Sequence, residues 1–337
     1  QEGVPQITAG DIGAVAKLNV TSTGDTLTVK DRPVRLPVVQ FPSPIFSKSV
    51  YPRTKADLDK MGNALSRLTE EDPTLHVSRD PRTGETIVSG MGDTHIDVAA
   101  DKMLRKFGAG VELALPKVPY RETITVPTEA EFKHKKQTGG HGQYGHVLLR
   151  LEPLERGAGN EFVDAVVGGA VPRNYIPAVE KGVHEAVLEG GLSGYPVADV
   201  RATLYDGSFH AVDSSDVCFK IAGAGAFKKG MSQGQPMLLE PIMKLKVTIP
   251  ENYTGDIISD LNTKRARVQG MIPEDGNNTI EAEVPLAEIQ RYAIDLRSIT
   301  QGRGSFTVEF SHYEPVPTHI TEKIIAEKQA QKEKAQS

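Results

Sequence analysis

Leucine and methionine recur every third or fourth residue between Lys55 and Glu70, at Leu58, Met61, Leu65 and Leu68. That period puts an apolar stripe on one face of a helix, and Thr54 ahead of it suits an N-cap. Asp93–Phe107 repeats the pattern through Ile96, Ala100, Met103 and Phe107, with Gly108 as the stop. Around these helices Ile45–Val50, Thr74–Ser78, Glu85–Ser89 and Val111–Leu115 read as short strands, with a turn at Asp80–Gly84. The order is β-α-β-β-α-β, a split βαβ arrangement of ferredoxin-like type. Near the other end the period drops to two residues: Met243, Leu245, Val247 and Ile249 alternate with Lys244, Lys246 and Thr248, a half-buried strand. Helix Thr254–Arg265, strands Val268–Ile272 and Thr279–Val284, helix Leu286–Ile299 and a strand through Phe306, Val308 and Phe310 come next. The same order therefore returns.

The stretch between mixes both periods. Arg121–Val126, Glu131–Lys136, Val147–Leu151, Phe162–Val167 and the alternation Val200, Ala202, Leu204 predict strands. Asn174–Glu189 predicts a helix striped by Ile176, Val179, Val183 and Val187; Ser214–Lys229 predicts another, with Ser214 as N-cap. The fold class is α+β and multidomain: two ferredoxin-like domains flanking a mixed α/β domain. The boundaries fall at 1–29, a strand-like opening; 30–39, a proline-rich linker; 40–115; 116–240; 241–315; and 316–337, a charged tail expected to be solvated. The opening segment reads as the tail of a domain that starts upstream of Gln1.

Composition narrows the function classes. Hydrophobic residues make up 38% and charged residues 25% of the 337 positions, ordinary values for a globular chain. No apolar run approaches the roughly 20 residues of a membrane span, and no signal-peptide pattern opens the chain. Cys218 stands alone, so no disulfide closes within the chain, and a reducing cytoplasm is the expected setting. Net charge is −5, so any nucleic-acid contact must come from local patches.

One stretch tempts with chemistry. Residues 137–146 read QTGGHGQYGH and contain G-x-G-x-x-G from Gly140 to Gly145. A dinucleotide site would need a helix straight after the glycines and an acidic residue about 20 positions on. Instead the glycines run into the β-prone His146–Leu151, so a loop joining strands fits better. His134, His141 and His146 raise a metal site, but no cysteine or H-E-x-x-H accompanies them. Ser208, His210 and Asp213 lie too close in sequence to converge as a triad, and there is no G-x-S-x-G elbow. No metal and no catalytic residue are expected. The run Lys133, His134, Lys135, Lys136 beside Tyr144 offers charges for phosphates and a ring for stacking, which suits RNA. Lys264, Arg265 and Arg267 form another basic cluster, whose plainer reading is charge complementarity at a helix C-terminus. No G-x-x-x-x-G-K-[ST] phosphate loop occurs in the 337 residues.

Taken together, the blocks TAGDIGAVAKL, KADLDKMGNALSRLTEEDPTL, GMGDTHIDVAADKM, TGGHGQYGHV, DGSFHAVDSSDVCFKIAGAGAFK, YTGDIISDLNTKR and EVPLAEIQRYAIDLRSITQGRGSFTVEFSHYEPVP resemble elongation factor G, in family order over nearly the whole chain. Thr94 and Ala266 depart from the family pattern. The resemblance implies a second-domain β-barrel remnant in 1–29, then the third domain, the fourth (ribosomal-protein-S5-like) and the fifth. It implies that the GTP-binding first domain lies outside these residues. This chain would then bind no cofactor and hydrolyse no GTP, while the intact parent would use GTP and Mg2+. The implied partners are the ribosome and its tRNA–mRNA, with no membrane, and the chain is expected to be a monomer. By the resemblance, Gly139, Gly140, His141, Gly142, Gln143 and Tyr144, with Asp206, Gly207, Ser208, Phe209 and His210, build a tip that enters the small-subunit decoding region. Lys133, Lys135 and Lys136 would support it. Asn262, Lys264 and Arg265 would contact large-subunit RNA near the sarcin–ricin loop and the GTPase-associated centre. The expected role is promotion of translocation. The alternatives are a ribosome-protection or ribosome-recycling paralogue and, remotely, a stand-alone metal or nucleotide enzyme.

Overall fold

The computed structural model describes residues 3–18, 20–137, 142–191 and 193–336, the side chains of 329 and 331–336 excepted. It divides into two compact units, 1–116 and 117–337.

In the first unit the described residues before Phe46 form turns and no strand. A strand needs a paired neighbour, and this segment instead folds back on side chains: Val34 N–H donates to Thr28 Oγ1 and Leu36 N–H to Thr26 Oγ1. Then come β1 (Phe46–Pro52), α1 (Lys55–Glu71), β2 (His76–Arg79), β3 (Thr86–Gly90), α2 (Asp93–Phe107) and β4 (Val111–Ala114). The strands pair antiparallel in the order β2-β3-β1-β4. Met61, Leu65 and Leu68 of α1 and Ile96 and Met103 of α2 are buried, as are Phe46, Val50 and Val88 of the sheet. Leu58 is the exception at 54% exposed: it keeps the helical period but lies on the outer edge of the stripe. Thr54 caps α1 by accepting from Asp57 N–H. Gly108 ends α2 in the left-handed region at φ 61°, its N–H donating to Leu104 O, a position that favours glycine.

The second unit holds β5 (Arg121–Ile124), β6 (Thr128–Lys136), β7 (Gln143–Pro153), β8 (Glu161–Asp164), α3 (Ile176–Glu189), β9 (Val200–Ser208) and α4 (Asp216–Gln233). They are followed by β10 (Pro236–Pro250), α5 (Thr254–Thr263), β11 (Arg267–Glu274), β12 (Asn277–Pro285), α6 (Leu286–Ile289), α7 (Tyr292–Thr300), β13 (Ser305–Pro315) and α8 (Thr318–Gln336). One sheet runs β6-β7-β9-β8, with β8 and β9 parallel. Its core joins Val147, Leu149 and Leu151 of β7 and Ala202 and Leu204 of β9 to Val179 and Val183 of α3 and Phe219, Ala222 and Phe227 of α4. The other runs β11-β12-β10-β13, all antiparallel, with Leu245, Val247 and Ile249 facing Ile257, Leu261, Tyr292 and Leu296.

Several elements differ from the periodic reading. The helix expected over Leu286–Ile299 is broken at Gln290–Arg291 into α6 and α7. Phe310 is 53% exposed, two residues beyond the last core contact of β13 and close to a bulge opposite Ile242–Met243. The N-cap of α4 is Ser215, which accepts from Cys218 N–H, and not Ser214. The charged tail is the helix α8. Val316 and Ile324 are buried with Leu238 against Tyr120 and Tyr195, and Lys328 Nζ lies 3.4 Å from the Tyr195 ring centroid. Its first half is amphipathic through Ile320 and Ile324, a stripe that charge content alone hides. No helix among the described residues is long and apolar enough to cross a membrane.

Candidate nucleic-acid interface

The basic run lies on the rising strand of a hairpin. In β6 and β7, Lys133 pairs with His146, His134 with Gly145, Lys135 with Tyr144 and Lys136 with Gln143. The described part of the G-x-G-x-x-G stretch, Gly142–Gly145, thus runs into β7, with no helix after it. Gly139, Gly140 and His141 lie outside the described residues. The remaining glycines have a packing role: neither Gly142 nor Gly145 has positive φ. A Cβ on Gly145 would meet the Cys218 backbone at 2.7 Å, where α4 begins, and one on Gly142 would meet Asp213 Cγ at 2.9 Å. The sequence suggests glycines that let the chain turn sharply; at these two positions they let another segment come close.

The other expected loop arrives at the same end of the sheet. β9 pairs with β7 through His146–Ser208, Val147–Gly207 and Leu148–Asp206, so the chain leaves the sheet at Phe209 beside the hairpin. These segments are far apart in sequence, and the register brings them together. Gly207 allows this approach, since a Cβ there would meet His146 O at 2.5 Å. Side chains link the strands. Tyr144 Oη and Ser208 Oγ are 2.8 Å apart, and Ser208 Oγ is 3.0 Å from His146 Nδ1. His146 Nε2 faces Glu131 at 3.5 Å, and His134 Nε2 lies 2.9 Å from Gln143 Oε1.

Tyr144, expected as an open stacking ring, is engaged on several sides. Lys133 Nζ sits 5.2 Å from its ring centroid, and the His210 ring 6.4 Å away. The hydrogen bond with Ser208, then Lys133 and Lys135, hold its phenol below the ordinary value against the opposing effect of burial. Asp206 is exposed, and Gly207 N–H donates back to its Oδ1 at 2.7 Å. Phe209 is 48% exposed, and Lys133, Lys135 and Lys136 are all exposed. The end of the sheet thus presents lysines, a half-exposed histidine and a phenylalanine. Such a mixture can meet phosphate oxygens and an unpaired base together.

The imagined triad is not assembled: Ser208 bonds Tyr144 and His146, while His210 Nδ1 faces Asp213 Oδ2 at 3.2 Å. Among the described residues no group of three or more His, Cys, Asp or Glu side chains is placed to hold a metal ion.

At the other expected RNA contact, Lys264 and Arg265 turn onto carboxylates of the chain. Lys264 is the C-cap of α5, and its Nζ lies 3.1 Å from Asp260 and 2.9 Å from Asp295. Burial alone would lower its ammonium pKa, but the bonds to Asp295 and Asp260 raise it overall. Arg265, in the left-handed region at φ 56°, forks onto both oxygens of Glu240 at 2.8 Å and donates through Nε to Glu288 at 2.8 Å. Those bonds hold it charged well above its ordinary range. Asn262 is exposed. Lys264 and Arg265 therefore carry structural ion pairs, which Asp260, spaced four residues before Lys264, could have signalled.

Models of elongation factor G domain III match residues 41–115, of domain IV residues 116–235, and of the elongation factor G C-terminus residues 237–324. A Thermotoga maritima protein described as elongation factor G-like is 51% identical over 329 residues, 97% of this chain. Those residues are 48% of that relative, so the chain spans about half its length. A crystal structure from Thermus thermophilus matches with a TM-score of 0.77 at 44% identity, covering 87% of this chain and 44% of that one.

Proposed function

We propose, because the chain belongs to the elongation factor G family, that it is the ribosome-facing part of a translational GTPase that promotes tRNA–mRNA translocation. In this proposal the end of the β6-β7-β9-β8 sheet enters the decoding region of the small subunit. The observation that carries it is the convergence of Gln143–Tyr144 and Asp206–His210 at one end of a rigid sheet, beside Lys133, Lys135 and Lys136. Phosphate contacts from the lysines would position the tip, and the loops would occupy space vacated by tRNA, opposing its return. GTP and Mg2+ would act in the intact protein. Both sheets ordered 2-3-1-4 in their own strands, β2-β3-β1-β4 and β11-β12-β10-β13, support a ferredoxin-like assignment for the flanking domains. Domain limits near 40–115, 116–240 and 241–315 are part of this proposal, as is a contact of Asn262 with large-subunit RNA.

Chemical probing of small ribosomal subunits with and without the chain tests it. Protection of decoding-region nucleotides, lost on Lys133→Glu with Lys135→Glu, is the expected result. Protection elsewhere, or none, rejects the tip assignment. Restored translation in the presence of tetracycline, without translocation, would make the parent a protection factor; subunit splitting would make it a recycling factor.

A further inference from the structure

The tip loops are joined by a short segment to which no role has been given. Asp213 and Ser214 lie between the end of β9 and the start of α4 and reach across to the hairpin. Gly142 N–H donates to Asp213 Oδ1 at 2.9 Å, and Tyr144 N–H to the Asp213 carbonyl at 2.8 Å. Ser214 Oγ donates to the Tyr144 carbonyl at 3.0 Å and accepts from His210 N–H at 2.9 Å. That serine proton and its lone pair therefore link both loops in one chain, His210 to Ser214 to Tyr144. Ser214 N–H returns to His210 O at 3.2 Å, and its carbonyl accepts from Tyr175 Oη at 3.3 Å. The glycine at 142 admits the Asp213 carboxylate, which a Cβ there would crowd.

The next residue, Ser215, is the N-cap of α4, and α4 is packed so closely on β7 that Gly145 has no room for a side chain. The segment is thus anchored to the core on one side and bonded to the hairpin on the other. Holding the hairpin base at Gly142–Tyr144 in place before a ligand arrives reduces the conformational entropy lost on binding.

We propose that Asp213 and Ser214 are positioning residues, a latch that holds the hairpin base at Gly142–Tyr144 against the loop at His210 in the form that meets RNA. The ligand part rests on the function proposed above; the latch itself does not.

The test uses the 337-residue chain and its variants Ser214→Ala, Ser214→Thr, Asp213→Ala and Asp213→Asn. Amide hydrogen exchange is followed at Gly142 and Tyr144, with Leu149 in the middle of β7 as internal control. Binding to isolated small ribosomal subunits is measured over a range of salt concentrations. Ser214→Ala and Asp213→Ala are expected to speed exchange at Gly142 and Tyr144 by about tenfold, the equivalent of one lost hydrogen bond, with Leu149 unchanged. Ser214→Thr keeps the hydroxyl and Asp213→Asn keeps the acceptor, so both should restore protection. Subunit affinity should fall by about tenfold in Ser214→Ala with the same salt slope, because no phosphate-binding cation is lost. Unchanged exchange at both amides in both alanine variants overturns the latch. Equal acceleration at Leu149 also overturns it, by making these residues general supports of the sheet. If the unaltered chain fails to bind subunits, the proposed function falls while the exchange measurements still decide the latch.

Discussion

Single residues here are constrained chiefly by what lies against them. Gly145 and Gly62 make the contrast. A methyl group on Gly145 would strike the Cys218 backbone, whereas one on Gly62, inside α1, would meet nothing within 4 Å. Gly145→Ala should therefore destabilise the chain by about 1–3 kcal/mol through overpacking. Gly62→Ala should stabilise it by about 0.5–1 kcal/mol through helix propensity. Urea denaturation of the two variants measures both, and opposite shifts of the midpoint are the expected result. Arg265 is constrained in another way. Its partner Glu240 is 2% exposed, so removing the guanidinium leaves a buried carboxylate uncompensated. Arg265→Ala should cost about 3–5 kcal/mol. Arg265→Lys should recover little of it, since an ammonium cannot fork onto both oxygens. If Arg265→Ala left stability unaltered, the inward assignment of this residue would be wrong.

Among the elements, the junctions between helix and strand carry the polar networks. Where α1 ends, Asp72 Oδ1 accepts from Thr74 N–H and Oγ1, and Oδ2 lies 3.0 Å from His95 Nε2. His95 Nδ1 accepts from Met91 N–H, so Nε2 is the nitrogen that donates to Asp72. The Thr74 bonds, then His95, hold the Asp72 carboxyl below its ordinary value despite the opposing effect of burial. A carboxyl depressed in the folded state stabilises fully above its unfolded pKa, and that contribution is lost as pH falls through the folded one. Stability of the 1–116 unit should thus decline below about pH 4, and less steeply in Asp72→Asn. The difference should stay under about 1 kcal/mol, because Asp72 is partly exposed and screened by solvent. Thermal melting between pH 6 and pH 3 provides the measurement. At the other end of the chain, α8 is held by Ile324 and Val316 against Leu238. Ile324→Asp should release the helix and sharply speed proteolysis within 318–336, while Lys323→Asp, on the exposed face, should not. Helix periods were legible in the sequence wherever the stripe was strong, as in α1, α2 and α3. The break between α6 and α7 was not, because apolar spacing runs through Leu286 to Ile299 and only the hydrogen-bond pattern departs at Gln290.

Across the second unit, β10 is the longest strand among the described residues. Its start pairs with β5 from Pro236 to Leu239, and its remainder with β12 from Ile242 to Pro250, while β13 follows it along most of its length. Tyr313 Oη donates to Pro119 O at 3.0 Å, and the Arg121 guanidinium lies 4.6 Å from the Tyr313 ring centroid. The segment leading into the tip-bearing sheet and the C-terminal sheet therefore share a strand and its flanking contacts, although the sequence suggests separate domains. Residues 117–337 should unfold as one cooperative body. The deepest-protected amides of Leu149 and Leu245 should exchange with the same free energy under native conditions. Distinct values, separated by more than about 1 kcal/mol, would show that the sheets open independently.

The sequence by itself determined the strongly patterned elements and their order, though not α8 or the break between α6 and α7, because alternation and helical periodicity are local properties that burial enforces at each position. Through its basic run and its family resemblance it also raised the lysines of β6 and the loop at Asp206–His210 as the interface proposed above. Only the tertiary structure decided where each cation stands. Lys133, Lys135 and Lys136 stand on an exposed strand end, while Lys264 and Arg265 turn onto carboxylates supplied by β10, α5, α6 and α7. It also decided what the glycines at 142 and 145 accommodate, since a close approach between segments far apart in the chain leaves no local trace. Charge type and spacing are written in the sequence; the partner of each charge is set by packing.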